Sequence, residues 1–154
     1  MDAIIGGLFF VNDIDVWQEY GVFLTEEKKG GRENLTAILA ASKTKKHTAV
    51  NIREQNGEKY SSALVVANEA RDVMLHFALY APTKSEWLKK YREFISFLKT
   101  GENGWLTFYF PQLEITMRVF YQEGGNFKPL TYLWREGVQA SRFRVKFREP
   151  EPII

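Results

Sequence analysis

The stretch from Asp72 to Gly101 constrains the fold more than any other part of the chain. Residues Val73 to Tyr80 alternate, with Val73, Leu75, Phe77 and Leu79 on one side and Met74, His76, Ala78 and Tyr80 on the other, the period of a pleated strand. Neither side is strongly polar, so cover is expected on both faces. Pro82 ends the strand, and Thr83 followed three residues later by Glu86 is a capping-box pattern that opens a helix. Within it Trp87, Tyr91, Phe94, Ile95 and Leu98 form one apolar stripe, while Lys89, Lys90, Arg92, Glu93 and Ser96 point away. Gly101 supplies the stop, because glycine tolerates the left-handed turn that ends many helices. A helix over about residues 83–100 with a single apolar stripe has to lie on a larger apolar surface, and a sheet containing the preceding strand provides one.

The rest of the composition agrees with a sheet. Hydrophobic residues make up 45% and aromatic residues 15%, including 12 Phe and 7 Tyr, a mixture suited to strands. The expected fold class is mainly β (α+β), an antiparallel β-sandwich or barrel with one flanking helix. At 154 residues the chain forms one domain with a real core, since a chain near this size buries roughly 68–70% of its unfolded surface. There is no Cys, and His47 and His76 are the two histidines, so neither disulfides nor a structural metal are expected, and no cofactor. A net charge of +2 points to no particular partner. The opening MDAIIGGLFFV lacks a basic start, and no stretch approaches the roughly 18 apolar residues of a membrane helix, so a soluble protein made in the cytoplasm is expected.

From the N-terminus, Leu8 to Val11 and Val16 to Leu24 are apolar runs separated by the turn pair Asn12-Asp13, which predicts an opening hairpin. Trp17 in its second arm reads as packed core, and Gly21 as a bulge or a close backbone approach. Thr25 to Asn34, with Lys28, Lys29, Gly30, Gly31 and Arg32, is an exposed polar loop, followed by a short helix over Leu35 to Ala41 with Asn34 as its cap. His47 to Arg53 and Tyr60 to Val66 flank a Gln55-Asn56-Gly57 turn as a second hairpin. After the helix, Trp105 to Phe110 is an aromatic strand ended by Pro111. Leu113 to Tyr121 is a half-buried strand, and Gln122 to Asn126, with Gly124 and Gly125, is a loop. Phe127 to Trp134 and Arg142 to Arg148 are the last strands, with a turn near Glu136-Gly137 and an extended tail over 149–154.

Chemistry is hard to find in this pattern. The glycine pairs lack the spacing that cradles phosphate, Asp72 and His76 lie four apart along a strand, and Glu26-Glu27 sit beside Lys28-Lys29 in a loop, so an enzyme is not expected. Two basic features remain, the cluster Lys43, Lys45, Lys46 and His47, and the stripe Arg142, Arg144, Lys146 and Arg148 on the last strand. Both read as solvated or subunit-facing surface. The alternative is a small β-barrel that binds single-stranded nucleic acid or a small ligand through them, with salt-sensitive affinity.

Three stretches carry a resemblance to the small tail proteins of long-tailed bacteriophages, the tail-tube and distal-tail group. FVNDIDVWQEYGVFL is similar to the family's opening hairpin. RDVMLHFALYAPTKSEWLKKYREFISFLKTG is similar to its strand, helix and glycine stop, and RFRVKFREPEP to its close. The resemblance implies a β-sandwich or barrel with a flanking helix, whose copies join edge to edge into a ring around a central channel, commonly a hexamer. It implies a structural virion protein of a phage or prophage, assembled in the bacterial cytoplasm and contacting other tail proteins, with nucleic acid met only as DNA passing through the channel. Longer distal-tail proteins add a second domain after this one, and with the chain ending at Ile154 receptor or carbohydrate binding is not expected. The loops around Lys28 to Arg32 and around Gly124-Gly125 are the expected contacts between copies.

Overall fold

The computed structural model describes residues 6–26, 30–131 and 137–154. The expectations for Glu27, Lys28, Lys29, residues 132–134 and Glu136 concern residues outside these ranges.

The chain opens with a two-residue hairpin, β1 (Phe10–Val11) and β2 (Ile14–Asp15), turned by Asn12 and Asp13 with φ of 51° and 65°. Positive φ at both central residues is the twist a tight hairpin needs, which is why Asn-Asp serves there. The second arm then departs from expectation. Val16–Tyr20 is a five-residue helix, α1, and only Val22–Leu24 is strand, β3. The Asp15 carboxylate accepts from the Trp17 amide at 3.0 Å, satisfying a free amide at the helix start, and from the Gly7 amide at 2.7 Å, tying the preceding segment to the cap. Gly21 ends α1 with φ 67°, so close to β4 that an added Cβ would lie 2.5 Å from the Tyr80 carbonyl oxygen.

Helix α2 (Glu33–Leu39) begins two residues earlier than expected, and Asn34 is inside it rather than capping it. Its side chain instead continues a β-ladder. Asn34 Oδ1 accepts from the His76 amide at 2.6 Å, and Nδ2 donates to the carbonyls of His76 and Thr25 at 3.0 and 2.7 Å.

Strand β4 (Arg71–Ala81) and helix α3 (Lys84–Thr100) follow the sequence closely. Val73, Leu75, Phe77 and Leu79 are fully buried, while the opposite face of β4 runs from the buried Ala78 to the exposed Tyr80. Thr83 Oγ1 accepts from the Glu86 amide at 3.2 Å, and the Gly101 amide closes the last turn on Phe97 at 2.8 Å. Trp87, Phe94 and Leu98 are buried, with Tyr91 and Ile95 packed at the margin of the same face.

The remaining strands are β5 (Leu106–Phe110), β6 (Ile115–Pro129) and β7 (Gln139–Glu149). The segment expected as a loop, Gln122 to Asn126, is exposed but is part of β6, not a loop. Glycine pairs are ordinary turn signals; here β7 supplies the ladder partners, and β-bulges between Tyr121 and Glu123 and between Gly125 and Lys128 bend the strand around them.

That bend determines the architecture. The first part of β6 pairs with β5 from Ile115 to Val119, and the rest pairs with β7 from Phe120 onward. One strand therefore serves both halves of a seven-stranded antiparallel sheet of order β2-β1-β5-β6-β7-β4-β3, curled so that the halves face each other. Across the interior Phe108 meets Phe147 with ring centroids 4.8 Å apart, and Phe9 stacks on Phe110 at 4.8 Å and on Phe77 at 6.1 Å. Helix α3 closes the β4–β7 half through Phe94 on Phe77 and Phe143, and Tyr91 on Phe143. The mainly β fold with a flanking helix is as expected, and so is the short helix α2, whereas α1 is an addition.

Candidate assembly surface

A curled sheet that stops short of closure leaves two edges, and here the edges are β2 and β3. Among the described residues no strand pairs with the outer side of either. Open edges are a template for pairing with another chain. Beyond Leu24 the edge is closed: Thr25 N donates to the His76 carbonyl at 3.0 Å, and the Asn34 amide occupies the next positions.

Between the two edges runs an apolar groove of about 330 Å³, walled by Asp15 and Trp17 on one side, by Phe23 on the other, and floored by Phe9, Leu35 and Ile38. Trp17, expected as packed core, is half-buried at this wall, its ring 5.8 Å from Phe23 and 6.4 Å from Tyr80.

A second exposed feature follows α2. Residues 42–70 leave the sheet as an arm whose two sides run antiparallel. At the base Lys45 N donates to the Ala67 carbonyl at 2.8 Å and Glu69 N to Lys43 at 2.7 Å, and Val50 and Lys59 exchange two bonds of 2.8 Å. The expected hairpin of two strands is thus reduced to isolated bridges at Thr44–Asn68 and Val50–Lys59. Every residue from Thr48 to Ala67 is exposed. The base is well held: Asn68 Nδ2 donates to the Pro152 carbonyl at 3.1 Å and Ser42 N to the Ile154 carbonyl at 3.1 Å, so the tail lies across it. Beside it Arg71 pairs with Glu149 at 2.6 Å and donates to the Ile38 and Ala40 carbonyls at the end of α2.

The basic residues separate into two environments. Lys43, Lys45 and Lys46 are exposed on the arm with His47 half-buried among them. On β7 the stripe is half-buried and partly neutralised: Arg148 binds Asp72 at 2.9 Å, and Lys146 lies 3.9 Å from Asp72 and 3.6 Å from Glu123. Arg142 and Arg144 share a small recess with Lys128, Asn126, Thr25 and Glu26, which brings the end of the first polar loop beside the stripe. Gly31 and Arg32 line a shallow recess with Leu24 and Leu35 at the β3 edge. Gly124 and Gly125 face Val145 and Arg144 within the ladder. Among the described residues no three His, Asp or Glu side chains gather as metal ligands, and no helix is long and apolar enough to cross a membrane.

Two features escaped the sequence. The apolar run Ala63 to Ala67 is visible in it, but alternation and the Gln55-Asn56-Gly57 turn suggested a paired strand instead of an unpartnered arm. The groove has no local signal, because its walls come from residues far apart in the chain.

No protein-family model matches the sequence, and no curated protein is similar to it. Among solved structures, the fold is similar to that of the SPP1 Dit (gp 19.1) protein, described as a paradigm of the hub adsorption apparatus in phages infecting Gram-positive bacteria. The match has a TM-score of 0.56 at 8% identity and covers 92% of this chain. This chain spans about half the length of that protein, 49%. At that identity the likeness is one of fold alone.

Proposed function

We propose that this chain is a structural subunit of a bacteriophage or prophage tail, of the distal-tail or tail-tube kind, that works by self-association into a ring and by contact with adjoining tail proteins. The observation that carries it is the fold likeness to a phage hub protein over nearly the whole chain, by a sheet that keeps two unpaired edges. A subunit of this kind needs surfaces that neighbours complete, and the chain has them in β2, β3, the groove between them and the arm. Six copies is the expected ring number, in a virion tail assembled in the host cytoplasm, with no chemical step of its own. Gly30, Gly31, Arg32, Gly124 and Gly125, with Lys28 and Lys29, remain proposed contacts between copies. Arg148 and Lys146 lie beside carboxylates, which favours a subunit-facing stripe on β7 over a nucleic-acid surface.

Light scattering of the purified chain over rising concentration, with electron microscopy of the largest species and of mixtures with neighbouring tail proteins, tests this. Closed rings are the expected result. A monomer at every concentration, alone and with those partners, would overturn it.

A further inference from the structure

An asparagine followed by glycine can modify itself. The glycine amide nitrogen attacks the carbonyl carbon of the asparagine side chain and closes a succinimide ring, an intramolecular step that glycine favours because it has no Cβ to obstruct the approach. The chain holds two such pairs, Asn56-Gly57 and Asn103-Gly104. Both asparagine side chains are exposed, so access to water does not separate them.

Their backbones do. Asn103-Gly104 forms the turn between α3 and β5. The Gly104 amide donates to the Thr100 carbonyl at 2.7 Å, Glu102 and Trp105 exchange bonds of 2.9 and 3.0 Å across the turn, and the Asn12 side chain donates to the Trp105 carbonyl. Asn103 is held there at φ 57°. The nitrogen that would attack is committed, and swinging it toward the side chain means opening the turn. Asn56-Gly57 lies at the tip of the arm, beyond the Val50–Lys59 bridge. Among the described residues neither Asn56 nor Gly57 makes a hydrogen bond, and a Cβ on Gly57 would meet nothing within 4 Å. The neighbouring contact is a single bond from the Gln55 amide to the Ile52 carbonyl at 3.1 Å.

We infer that Asn56 is a site of spontaneous deamidation and isoaspartate formation in the folded protein, and that Asn103, in the same dipeptide, is protected by its turn. The Gly57 nitrogen bonds to Asn56 Cγ, the Cγ–Nδ2 bond breaks, and the proton of the Gly57 amide leaves with the side-chain nitrogen as ammonia. Water then opens the succinimide at either carbonyl. It gives aspartate where it breaks the new bond and isoaspartate where it breaks the original peptide bond. Either product adds a carboxylate between Glu54 and Glu58, and the isoaspartyl form lengthens the main chain by one carbon at the tip. The change is confined to the arm, and the inference does not depend on the self-assembly proposed above.

The test incubates the whole chain in mildly alkaline buffer, dilute enough to be monomeric, beside a sample in denaturant. Peptide mapping by mass spectrometry, with enzymatic labelling of isoaspartate, follows both sites. In the folded chain Asn56 is expected to convert ~10-fold or more faster than Asn103, since the Gly104 bond has to open before attack. In denaturant the two rates should converge, and Asn56→Gln should remove the folded-chain signal. Comparable rates at the two sites of the folded chain, or an Asn56 that stays intact, would overturn the inference. An Asn103 that remains as slow in denaturant would overturn the turn as the cause of its protection.

Discussion

Replacing Phe94 by Ala tests the contact between α3 and the sheet most directly. Phe94 is fully buried, with its ring 5.7 Å from Phe77, 6.1 Å from Phe143 and 5.4 Å from Tyr20. Truncation removes the transfer energy of a phenyl ring and leaves a void that three aromatic neighbours on β4, β7 and α1 cannot easily close. Such changes cost about 3–5 kcal/mol. Edge-to-face aromatic pairs contribute about 0.5–1.5 kcal/mol each beyond their area, which puts the expectation in the upper half of that range. For a chain of this length the unfolding midpoint should fall by roughly 2–4 °C per kcal/mol. Urea unfolding at a concentration that keeps the chain monomeric, followed by circular dichroism, measures the change without interference from assembly. Lys89→Ala, on the exposed face of the same helix, is the control and should shift stability by no more than about 0.5 kcal/mol. A loss below about 1 kcal/mol for Phe94→Ala would refute the packing, because a side chain with no exposure and three ring contacts cannot be removed at the cost of a surface residue.

Four further changes probe other joints. Arg71→Met leaves Glu149 buried without its partner and frees the end of α2, and should destabilise by about 3 kcal/mol in the same assay; Arg71→Lys should recover only part of this, since one ammonium cannot reach carboxylate and carbonyls in a fork. Asn34→Ala removes the amide that finishes the β4 edge and should cost about 1–3 kcal/mol, with earlier hydrogen exchange at the His76 amide. Gly21→Ala places a Cβ against the Tyr80 carbonyl at positive φ and should cost at least about 1 kcal/mol; an unchanged midpoint would mean the turn relaxes freely. Tyr20 and Tyr91 both titrate above their ordinary 10.0, through burial first, then through Glu19 and Glu93 for Tyr20 and Tyr121 for Tyr91. Their neutral form is favoured in the fold, so this stability is complete below the unfolded value and is lost as pH rises through the folded one. Unfolding midpoints should fall from about pH 9 to about pH 11, less steeply in Tyr20→Phe and Tyr91→Phe; equal slopes would sink the assignment.

The sequence by itself determined what local signals can determine. The alternation of Val73 to Tyr80, the Thr83 cap, the apolar stripe of α3, the Gly101 stop and the Asn12-Asp13 turn each act within a few residues. The structure keeps all of them, together with the aromatic strand β5, the last strand β7 and the mainly β class. Tertiary structure decided the rest. Val16 to Tyr20 is too short to declare a helix by periodicity, and becomes one because Asp15 caps it and Gly21 turns it back against Tyr80. Gln122 to Asn126 has the composition of a loop and is strand because β7 pairs with it. Asn34 has the identity of a helix cap and completes a ladder instead, 42 residues away in the chain at His76. The groove and the arm depend on which edges remain unpaired, a property of the whole sheet. Capping and periodicity are energies between near neighbours in sequence, whereas strand pairing and the unfilled edge arise from partners brought together only when the chain has folded.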